Sequence, residues 1–306
     1  MRNISTEVVL QLLREDKNVL AVTADNGNEI YDQIRREYPA QYLDFGIAEC
    51  NMVAASAGLA AAGKIPFLYA VTNFMSMRAY EFLRNIVCEP KYNVKFLGRS
   101  AGVVTGTYGM THQGTEDLAL LRTLPNLLTI TPATPIEARE ATRFAYRHKG
   151  PVYIRLEGRN EPELYDEGYE FVPGKGTVLR EGRDMTVISI GSIINEALKA
   201  AEKLFADEGL TLRVINMPTI LPIDRALIVS AAKETGGILT LEEHGIQGGL
   251  GSAVAEVLAE SGVSVRFRRM GLSGFAHGCG NRDEMREING LTAKEIAENV
   301  REMVGA

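Results

Sequence analysis

The sequence DFGIAECNMVAASAGLAAAGKIPFLYAV, residues 44–71, places a long apolar run between a carboxylate and a β-rich segment. The spacing over 47–62 predicts a helix, and Gly63 is the residue type that ends helices in a left-handed conformation. Because this helix is apolar on nearly every side, we expect it to be buried. Residues 65–71 form a short apolar run typical of a buried strand. A helix followed directly by a buried strand indicates an α/β protein.

The same alternation extends in both directions from this helix and strand. Strand-like segments before residue 160 are 18–25, 65–71, 93–99, 126–133 and 151–157. A second series lies at 185–191, 211–217, 237–243 and 263–271. Helical patterns lie between them, which predicts parallel sheets covered on both faces. Gly, Pro and charged residues interrupt this alternation, so we expect two consecutive α/β domains, 1–165 and 185–306, joined by a linker over 166–184.

The composition is that of a globular protein and excludes several classes of function. The chain has 306 residues, is 45% hydrophobic and carries a formal net charge of -6. There is no excess of basic residues to neutralise phosphates, so nucleic acid is not expected as a main partner. Cys50, Cys88 and Cys279 lie far apart and are expected to be reduced thiols, with no metal site among them. The apolar runs are too short for a membrane span, and we expect a cytoplasmic protein.

Glu49 stands at the start of the apolar helix, and its position allows two interpretations. A glutamate in the first turn stabilises a helix by complementing its dipole, which is the commoner role. Alternatively, apolar surroundings disfavour an ionised carboxylate, so that Glu49 would share a proton with a ligand nitrogen. The residues alone favour the first interpretation.

Three glycine-rich segments are further candidates for chemistry. Residues 102–126 form a loop that carries His112 and leads into a helix, and such loops are where α/β sheets hold ligands. A lone histidine is nevertheless more often a structural hydrogen-bonding group. The glycines of 242–258 do not match a phosphate-binding motif and predict tight strand-to-helix packing. Residues 274–285 contain His277 and Cys279 but lack further metal ligands at suitable spacing, so we interpret them as a loop.

Five segments taken together carry a resemblance to a known family. They are FGIAECNMVAASAGLAAAGKIPF (45–67), NFMSMRAYEFLRN (73–85), GMTHQGTEDLALLRTLPNLLTITPATPIEA (109–138), PVYIRLEGRNEP (151–162) and EEHGIQGGLGSAVAEVLAE (242–260). Over nearly the whole chain they resemble the C-terminal half of the transketolase family. The resemblance implies a pyrimidine-binding domain with the thiamine-diphosphate-binding fold, followed by a smaller α/β transketolase C-terminal domain.

The resemblance implies a thiamine diphosphate cofactor, which carries a two-carbon ketol unit from a ketose phosphate to an aldose phosphate. Glu49 matches the family glutamate that bonds a ring nitrogen of the aminopyrimidine, which reverses the preference stated above. Phe74 matches an aromatic residue that stacks on the same ring. Ile47 and Met77 are assigned to the same cofactor pocket.

The resemblance also assigns residues to the substrate, with two departures from the usual pattern. His112 matches the histidine that contacts substrate oxygens, and either Arg155 or Arg159 would bind the substrate phosphate, with Arg159 preferred. Ser100 stands where conventional transketolases have a histidine. Tyr108 replaces an aspartate that is frequent before the THQ motif. These departures put the usual sugar phosphates in doubt as the best substrates.

The sequence contains no GDG segment, which in this family holds magnesium and the cofactor diphosphate. The resemblance therefore predicts a split enzyme, in which a partner subunit corresponding to the N-terminal half holds Mg2+ or another divalent ion. We expect an assembly of two copies of each subunit and no activity from this chain alone.

Three other functions remain open from the sequence alone. Deoxyxylulose-phosphate-synthase-like enzymes and the beta subunits of 2-oxo-acid dehydrogenases share the pyrimidine domain. The segment THQGTEDLALLRTLPN, 111–126, favours the sugar-phosphate enzymes over the dehydrogenases. A non-catalytic subunit that serves only assembly is a third alternative, and the presence of Glu49 and His112 argues against it.

Overall fold

The computed structural model describes residues 1–27, 29–158 and 161–305. The chain folds into two compact units. The first unit contains Met1–Ala101 and Leu120–Phe171, and the second contains Gly102–Ala119 and Val172–Ala306. The segment 102–119, which carries the THQ motif, therefore groups with the C-terminal part of the chain.

The first unit is built on a parallel sheet. Its strands lie side by side in the order β5-β6-β4-β3-β1-β2, and every neighbouring pair is parallel. The strands are β1 (Val19–Thr23), β2 (Tyr42–Asp44), β3 (Ile65–Val71), β4 (Lys95–Arg99), β5 (Leu128–Ile130) and β6 (Val152–Leu156). All five residues of β1 and of β6 are buried, as expected for strands covered on both faces.

Helices cover both faces of this sheet. They are α1 (Arg2–Glu15), α2 (Glu29–Glu37), α3 (Glu49–Ala61), α4 (Tyr80–Phe82) and α6 (Pro135–Arg147). Successive residues of β1 point to opposite faces. Val19 and Ala21 join an apolar cluster with side chains of α1, α2 and α6, whereas Leu20 and Val22 join a second cluster with side chains of α3. The first unit thus has an apolar core on each side of its sheet.

The second unit has a five-stranded sheet in the order β12-β11-β8-β9-β7. Its strands are β7 (Thr177–Arg180), β8 (Met185–Ile190), β9 (Leu212–Asn216), β11 (Gly237–Gly245) and β12 (Arg266–Leu272), with the short β10 (Thr219–Leu221) between β9 and β11 in the chain. In this sheet the β7–β9 pair is antiparallel and the other pairs are parallel. The helices are α7 (Ile194–Glu208), α8 (Arg225–Glu234), α9 (Leu250–Ser261), α10 (Arg282–Ile288) and α11 (Ala293–Gly305), while α5 (Asp117–Leu121) lies where the chain returns to the first unit.

The predicted α/β class is confirmed, and several details differ from the sequence expectations. The segment predicted as a linker, 166–184, contains β7, which pairs with β9. The predicted helix over 47–62 is present as α3, and Gly63 has a φ of +85°, in the left-handed region. The expectation that α3 is buried on nearly every side is wrong, because Asn51, Gly58 and Ala61 are exposed in this chain.

None of the helices among the described residues is both long and apolar enough to cross a membrane.

Candidate active-site residues

Glu49 is the first residue of α3, and its side chain is only 1% exposed. Its Oε2 accepts a hydrogen bond of 2.6 Å from Nη1 of Arg78, a residue 29 positions later in the chain. The first turn of a helix also favours negative charge, because its backbone N–H groups point toward that end. The expectation that apolar surroundings leave this carboxylate without a balancing charge is therefore wrong, since the guanidinium of Arg78 is paired with it.

Phe74 and Arg78 are the first and last residues of a π-helical turn, Phe74–Arg78. Such wide turns are rare and frequently occur at functional sites. The guanidinium carbon of Arg78 lies 4.7 Å from the centre of the Phe74 ring, within the range of a cation–π interaction. Arg78 thus contacts both the predicted cofactor acid and the predicted stacking residue. For the contact with Phe74 the sequence offered one signal, the position of Arg78 four residues later on a helical segment; it offered none for the contact with Glu49.

These side chains suit an aminopyrimidine ring. A buried carboxylate can bond a ring nitrogen, and the face of Phe74, which is half-buried, can stack on the ring. Ile47 is 75% exposed although it is large and apolar, and Met77 is half-buried. The structure therefore brings Glu49 and Phe74 together through Arg78, with additional apolar surface at Ile47 in the loop that precedes α3.

Two of the predicted substrate residues in the first unit, Ser100 and Arg155, are buried, which is unfavourable for contact with a substrate. Ser100 follows β4, is fully buried, and has a φ of +62°. Its hydroxyl accepts a hydrogen bond of 3.2 Å from Nη1 of Arg99. Arg155 is also fully buried and forms an ion pair of 2.7 Å with Glu157. The burial of Arg155 argues against its role as the phosphate-binding arginine. Arg159, the preferred candidate, lies outside the described residues.

His112 lies in a closed loop of the second unit. Gly102 and Gly114 exchange two backbone hydrogen bonds, of 2.8 and 3.0 Å, which join the ends of the loop. We call residues 102–114 the His112 loop. Thr105 Oγ1 donates a hydrogen bond of 2.7 Å to the carbonyl oxygen of His112, which fixes the backbone across the loop.

At the end of this loop, the side chains of His112 and Tyr108 lie next to one another. Their ring centres are 5.1 Å apart, and Tyr108 is 69% exposed. Nδ1 of His112 lies 3.0 Å from the hydroxyl oxygen of Thr111. His112 is itself partly exposed, so its ring can meet a polar ligand, whereas Tyr108 offers an exposed aromatic face beside it.

The carboxyl end of β11 contacts the His112 loop and its C-terminal continuation. The backbone N–H of Val103 donates a hydrogen bond of 2.9 Å to Oε1 of Glu243. Two residues later in β11, the N–H of Gly245 donates a bond of 2.8 Å to the carbonyl oxygen of Thr115. The sequence interpretation did not identify Glu243 as a functional candidate.

Glu243 is fully buried and is paired with two arginines of α10. Nε of Arg286 lies 2.8 Å from its Oε2, and Nε of Arg282 lies 3.1 Å from the same oxygen. Both guanidinium groups also donate to the hydroxyl of Ser192. Burial opposes ionisation of Glu243, but the charges of Arg282 and Arg286 and the N–H of Val103 outweigh it and hold its pKa at about 2.

The glycine-rich segment after β11 has the structural role that its sequence predicts. Glu242 accepts backbone hydrogen bonds from Leu250 and Gly251, at 2.7 and 2.8 Å, at the start of α9. A Cβ at Gly249 would lie 1.9 Å from Oε2 of Glu242, so a larger residue there would displace the carboxylate that holds the start of α9. The prediction of tight strand-to-helix packing is confirmed. Among residues 1–27, 29–158 and 161–305, no three His, Cys, Asp or Glu side chains cluster as metal ligands would.

Comparison with family models gives two matches in succession. Residues 1–162 match the transketolase pyrimidine-binding domain, and residues 174–296 match the transketolase C-terminal domain.

Several curated proteins are similar over almost the whole chain. A Methanocaldococcus jannaschii protein, provisionally named a transketolase C-terminal section, is 36% identical over 99% of this chain and 95% of its own length. A protein of Actinobacillus succinogenes, named as one subunit of an apulose-4-phosphate transketolase, is 35% identical over 97% of this chain and 96% of its own length. A 6-deoxy-6-sulfo-D-fructose transketolase subunit of a Clostridium species is 36% identical over 99% of this chain and 94% of its own length. A 1-deoxy-D-xylulose-5-phosphate synthase of Heliobacterium modesticaldum is also 36% identical, but this chain spans only 47% of it.

A solved structure has a closely similar fold. It is described as a split gene transketolase, an inactive beta4 tetramer, and its sequence is 37% identical to this chain. The TM-score is 0.89, with 99% of this chain and 97% of the other covered.

Proposed function

This chain belongs to the transketolase family, and we propose that it is the C-terminal-half subunit of a split transketolase. Its reaction is the transfer of a two-carbon ketol unit from a ketose phosphate to an aldose phosphate, as in pentose phosphate metabolism. The length match supports this proposal, because the chain covers 94% to 96% of relatives that are themselves named as a section or a subunit. We also propose that the protein is located in the cytoplasm.

The observation that carries the proposal is the buried carboxylate of Glu49 beside the ring of Phe74, joined through Arg78. Thiamine diphosphate, when bound, supplies the electron sink for cleaving and forming the carbon–carbon bond. Glu49 would hold a proton at a ring nitrogen of the pyrimidine. Phe74 would stack on the ring, and Ile47 and Met77 would exclude water from it. Arg78 lies over the Phe74 ring, so it would have to move for the pyrimidine to stack on that face.

We assign the substrate end of the site to His112 and to the residues that depart from the family pattern. The partly exposed ring of His112 would donate to or accept from substrate oxygens. Arg159 stays the proposed phosphate-binding residue, since the charge of the buried Arg155 is already balanced by Glu157. Tyr108, with its exposed ring, and Ser100, which lacks a histidine's charge, support a substrate other than the usual sugar phosphates.

We propose a partner subunit that corresponds to the N-terminal half of the enzyme, in an assembly of two copies of each. That partner would hold the diphosphate and the divalent ion. The exposed Ile47 and the exposed side of α3, with small residues at Gly58 and Ala61, are suited to close packing against another chain. The similar solved structure, described as an inactive beta4 tetramer, supports the expectation that this chain alone is inactive.

A synthase of the deoxyxylulose-phosphate type is the second candidate, favoured by the match to one half of such an enzyme. The two reactions differ in their donor, since the synthase consumes pyruvate. A 2-oxo-acid dehydrogenase beta subunit would also act on a 2-oxo acid. A non-catalytic assembly subunit would give no turnover with any donor.

The proposal is tested by coexpressing this chain with the product of the neighbouring gene, as the candidate N-terminal-half subunit. The purified complex is assayed with xylulose 5-phosphate and ribose 5-phosphate in the presence of thiamine diphosphate and magnesium. We expect ketol transfer by the complex and none by either subunit alone. Pyruvate consumption without ketol transfer would overturn the proposal in favour of the synthase type, and a stable complex without turnover on any sugar would favour an assembly subunit.

A further inference from the structure

Glu243 forms a charged cluster in the interior of the second unit that the family assignment does not use. The carboxylate is 1% exposed and lies at the carboxyl end of β11 between two guanidinium groups of α10, both of which also donate to the hydroxyl of Ser192. Burying a charged group costs free energy unless its partners are held in good geometry. This geometry is held by short contacts, 2.7 Å from Oε2 to Nη2 of Arg286 and 3.1 Å to Nη2 of Arg282.

One oxygen of this carboxylate faces the base of the His112 loop. Oε1 accepts the N–H of Val103, which directly follows the closing residue Gly102. Gly102 has a φ of +65°, and a Cβ there would lie 2.5 Å from the same Oε1. The backbone therefore approaches the carboxylate as closely as only glycine permits.

The rest of the loop packs on the helix that supplies the two arginines. A Cβ at Gly106 would lie 2.3 Å from Cγ of Met285, a residue of α10 between Arg282 and Arg286. The loop thus contacts α10 directly, and it contacts the charges of α10 indirectly through Glu243. Tyr108 follows Gly106 by two residues and His112 precedes Gly114 by two residues, so both rings belong to a segment that is held at Gly102, Gly106 and Gly114.

We propose that Glu243 is a positioning residue for His112, because it fixes the base of the His112 loop through the N–H of Val103 while Arg282 and Arg286 hold the carboxylate. Glu243 does not touch the substrate. It sets where the His112 ring meets the substrate, so its loss weakens substrate binding and turnover. The effect on turnover rests on the proposed function, whereas the effect on the loop does not.

The first test measures hydrogen exchange of the full chain without substrate. In the Glu243→Gln variant we expect amides of residues 102–114 to exchange about tenfold faster, while peptides of β8 and β11 keep their protection. Ser192→Ala alters the same cluster without touching Val103, and Glu137→Gln changes a buried carboxylate of the first unit. Both controls are expected to leave the loop unchanged. Unchanged loop exchange in Glu243→Gln, or an equal change in Ser192→Ala, would overturn the proposal.

The second test uses the complex with the N-terminal-half subunit. We expect Glu243→Gln to raise the KM for the donor sugar about tenfold and to lower kcat/KM further, with the Kd of thiamine diphosphate unchanged within about twofold. A loosened loop with wild-type kcat/KM would contradict a positioning role. If the wild-type complex shows no ketol transfer, the proposed function fails, and the exchange experiment still decides the loop anchor.

A second variant covers the case in which Glu243→Gln does not fold. Gly102→Ala retains Glu243 and both arginines and places a Cβ 2.5 Å from Oε1 at a φ of +65°, so the loop and the carboxylate must move apart. We expect the same faster exchange over 102–114 and the same rise in KM. Wild-type exchange and KM in a folded Gly102→Ala chain would overturn the proposal.

Discussion

Arg78 holds Glu49 at 2.6 Å and at the same time lies 4.7 Å from the centre of the Phe74 ring. A single guanidinium thus neutralises the buried acid and covers the aromatic face in this chain. These are the two groups that we propose for the cofactor pyrimidine. If the pyrimidine stacks on this face of Phe74, it would replace the guanidinium there.

Removal of Arg78 is expected to destabilise the free chain. In Arg78→Met the buried Glu49 loses its cation, and because Arg78 is half exposed we expect a loss of only about 1–2 kcal/mol in the free energy of unfolding. Urea denaturation measures it, and the Glu49→Gln/Arg78→Met double variant should recover part of the loss. Arg84→Met, at an exposed position of the same segment, is the control and should change stability by less than about 0.5 kcal/mol. Equal losses in Arg78→Met and Arg84→Met would exclude an important ion pair.

The Glu49→Gln substitution separates the chemical role of Glu49 from its structural role. The amide keeps the shape of the side chain and loses the ability to exchange a proton with the pyrimidine. We expect a folded subunit that still joins the complex, with kcat reduced by about 10²–10⁴-fold. Circular dichroism and size-exclusion chromatography check folding and assembly. Normal turnover by this complex would rule out proton sharing by Glu49.

His112→Asn should affect substrate binding and turnover more than cofactor binding. Asparagine can still form hydrogen bonds, but it has no ring nitrogen that can take up or release a proton. We therefore expect kcat/KM to fall about 10²-fold. The Kd of thiamine diphosphate should stay near the wild-type value. His277→Asn, at an exposed position of the same unit, is the matched control. A larger effect at His277 than at His112 would disprove the assignment.

Lys95 predicts an unusual rise of stability with pH. Its Nζ donates to the carbonyl oxygens of His148 and Gly150 at 2.7 and 2.6 Å, and burial lowers its pKa from 10.5 to about 7. Between these values the unfolded chain binds a proton that the folded chain does not, so the free energy of unfolding rises with pH, by at most about 1.4 kcal/mol per pH unit. Lys95→Met should remove this slope, and the exposed Lys199→Met should keep it. Identical pH profiles for all three proteins would contradict the lowered pKa of Lys95.

Glu243 predicts a change of stability in the same direction as Lys95, but at acid pH. Because the folded-state pKa of this carboxyl is held at about 2, its contribution to stability is complete above pH 4.5 and is lost as the pH falls toward 2. The loss amounts to about 3 kcal/mol. Urea denaturation between pH 5 and about pH 3 compares wild type with Glu243→Gln, whose stability should fall less steeply. A steeper fall in the variant would contradict the assigned pKa.

Much of the fold followed from local sequence patterns, and the missed parts have physical reasons. Buried strands such as β1 and β8 are continuous apolar runs and were predicted within a few residues. The strands β2 and β10 have three residues each, too few to show a period. β7 is antiparallel and only partly buried, so it lacks the apolar run that marks its neighbours.

The candidate site was predictable where a residue type and its position were informative, as for Glu49 at the start of an apolar helix. The partner of Glu49 was not, because Arg78 reaches it by folding and not by any local spacing. Glu243 shows the same limit, since its arginines follow about 40 residues later and only the structure brings them to β11.

The two backbone bonds between Gly102 and Gly114 have a consequence for the evolution of this subunit. Because two hydrogen bonds join the ends of the loop, residues between them can be inserted, deleted or exchanged without altering where the chain enters or leaves. A longer loop adds little entropic cost. Relatives of similar identity are named for apulose-4-phosphate and for 6-deoxy-6-sulfo-D-fructose. Substitutions between these two glycines, at positions such as Tyr108 beside His112, would therefore change the proposed substrate end of the site while the ends of the loop stay fixed.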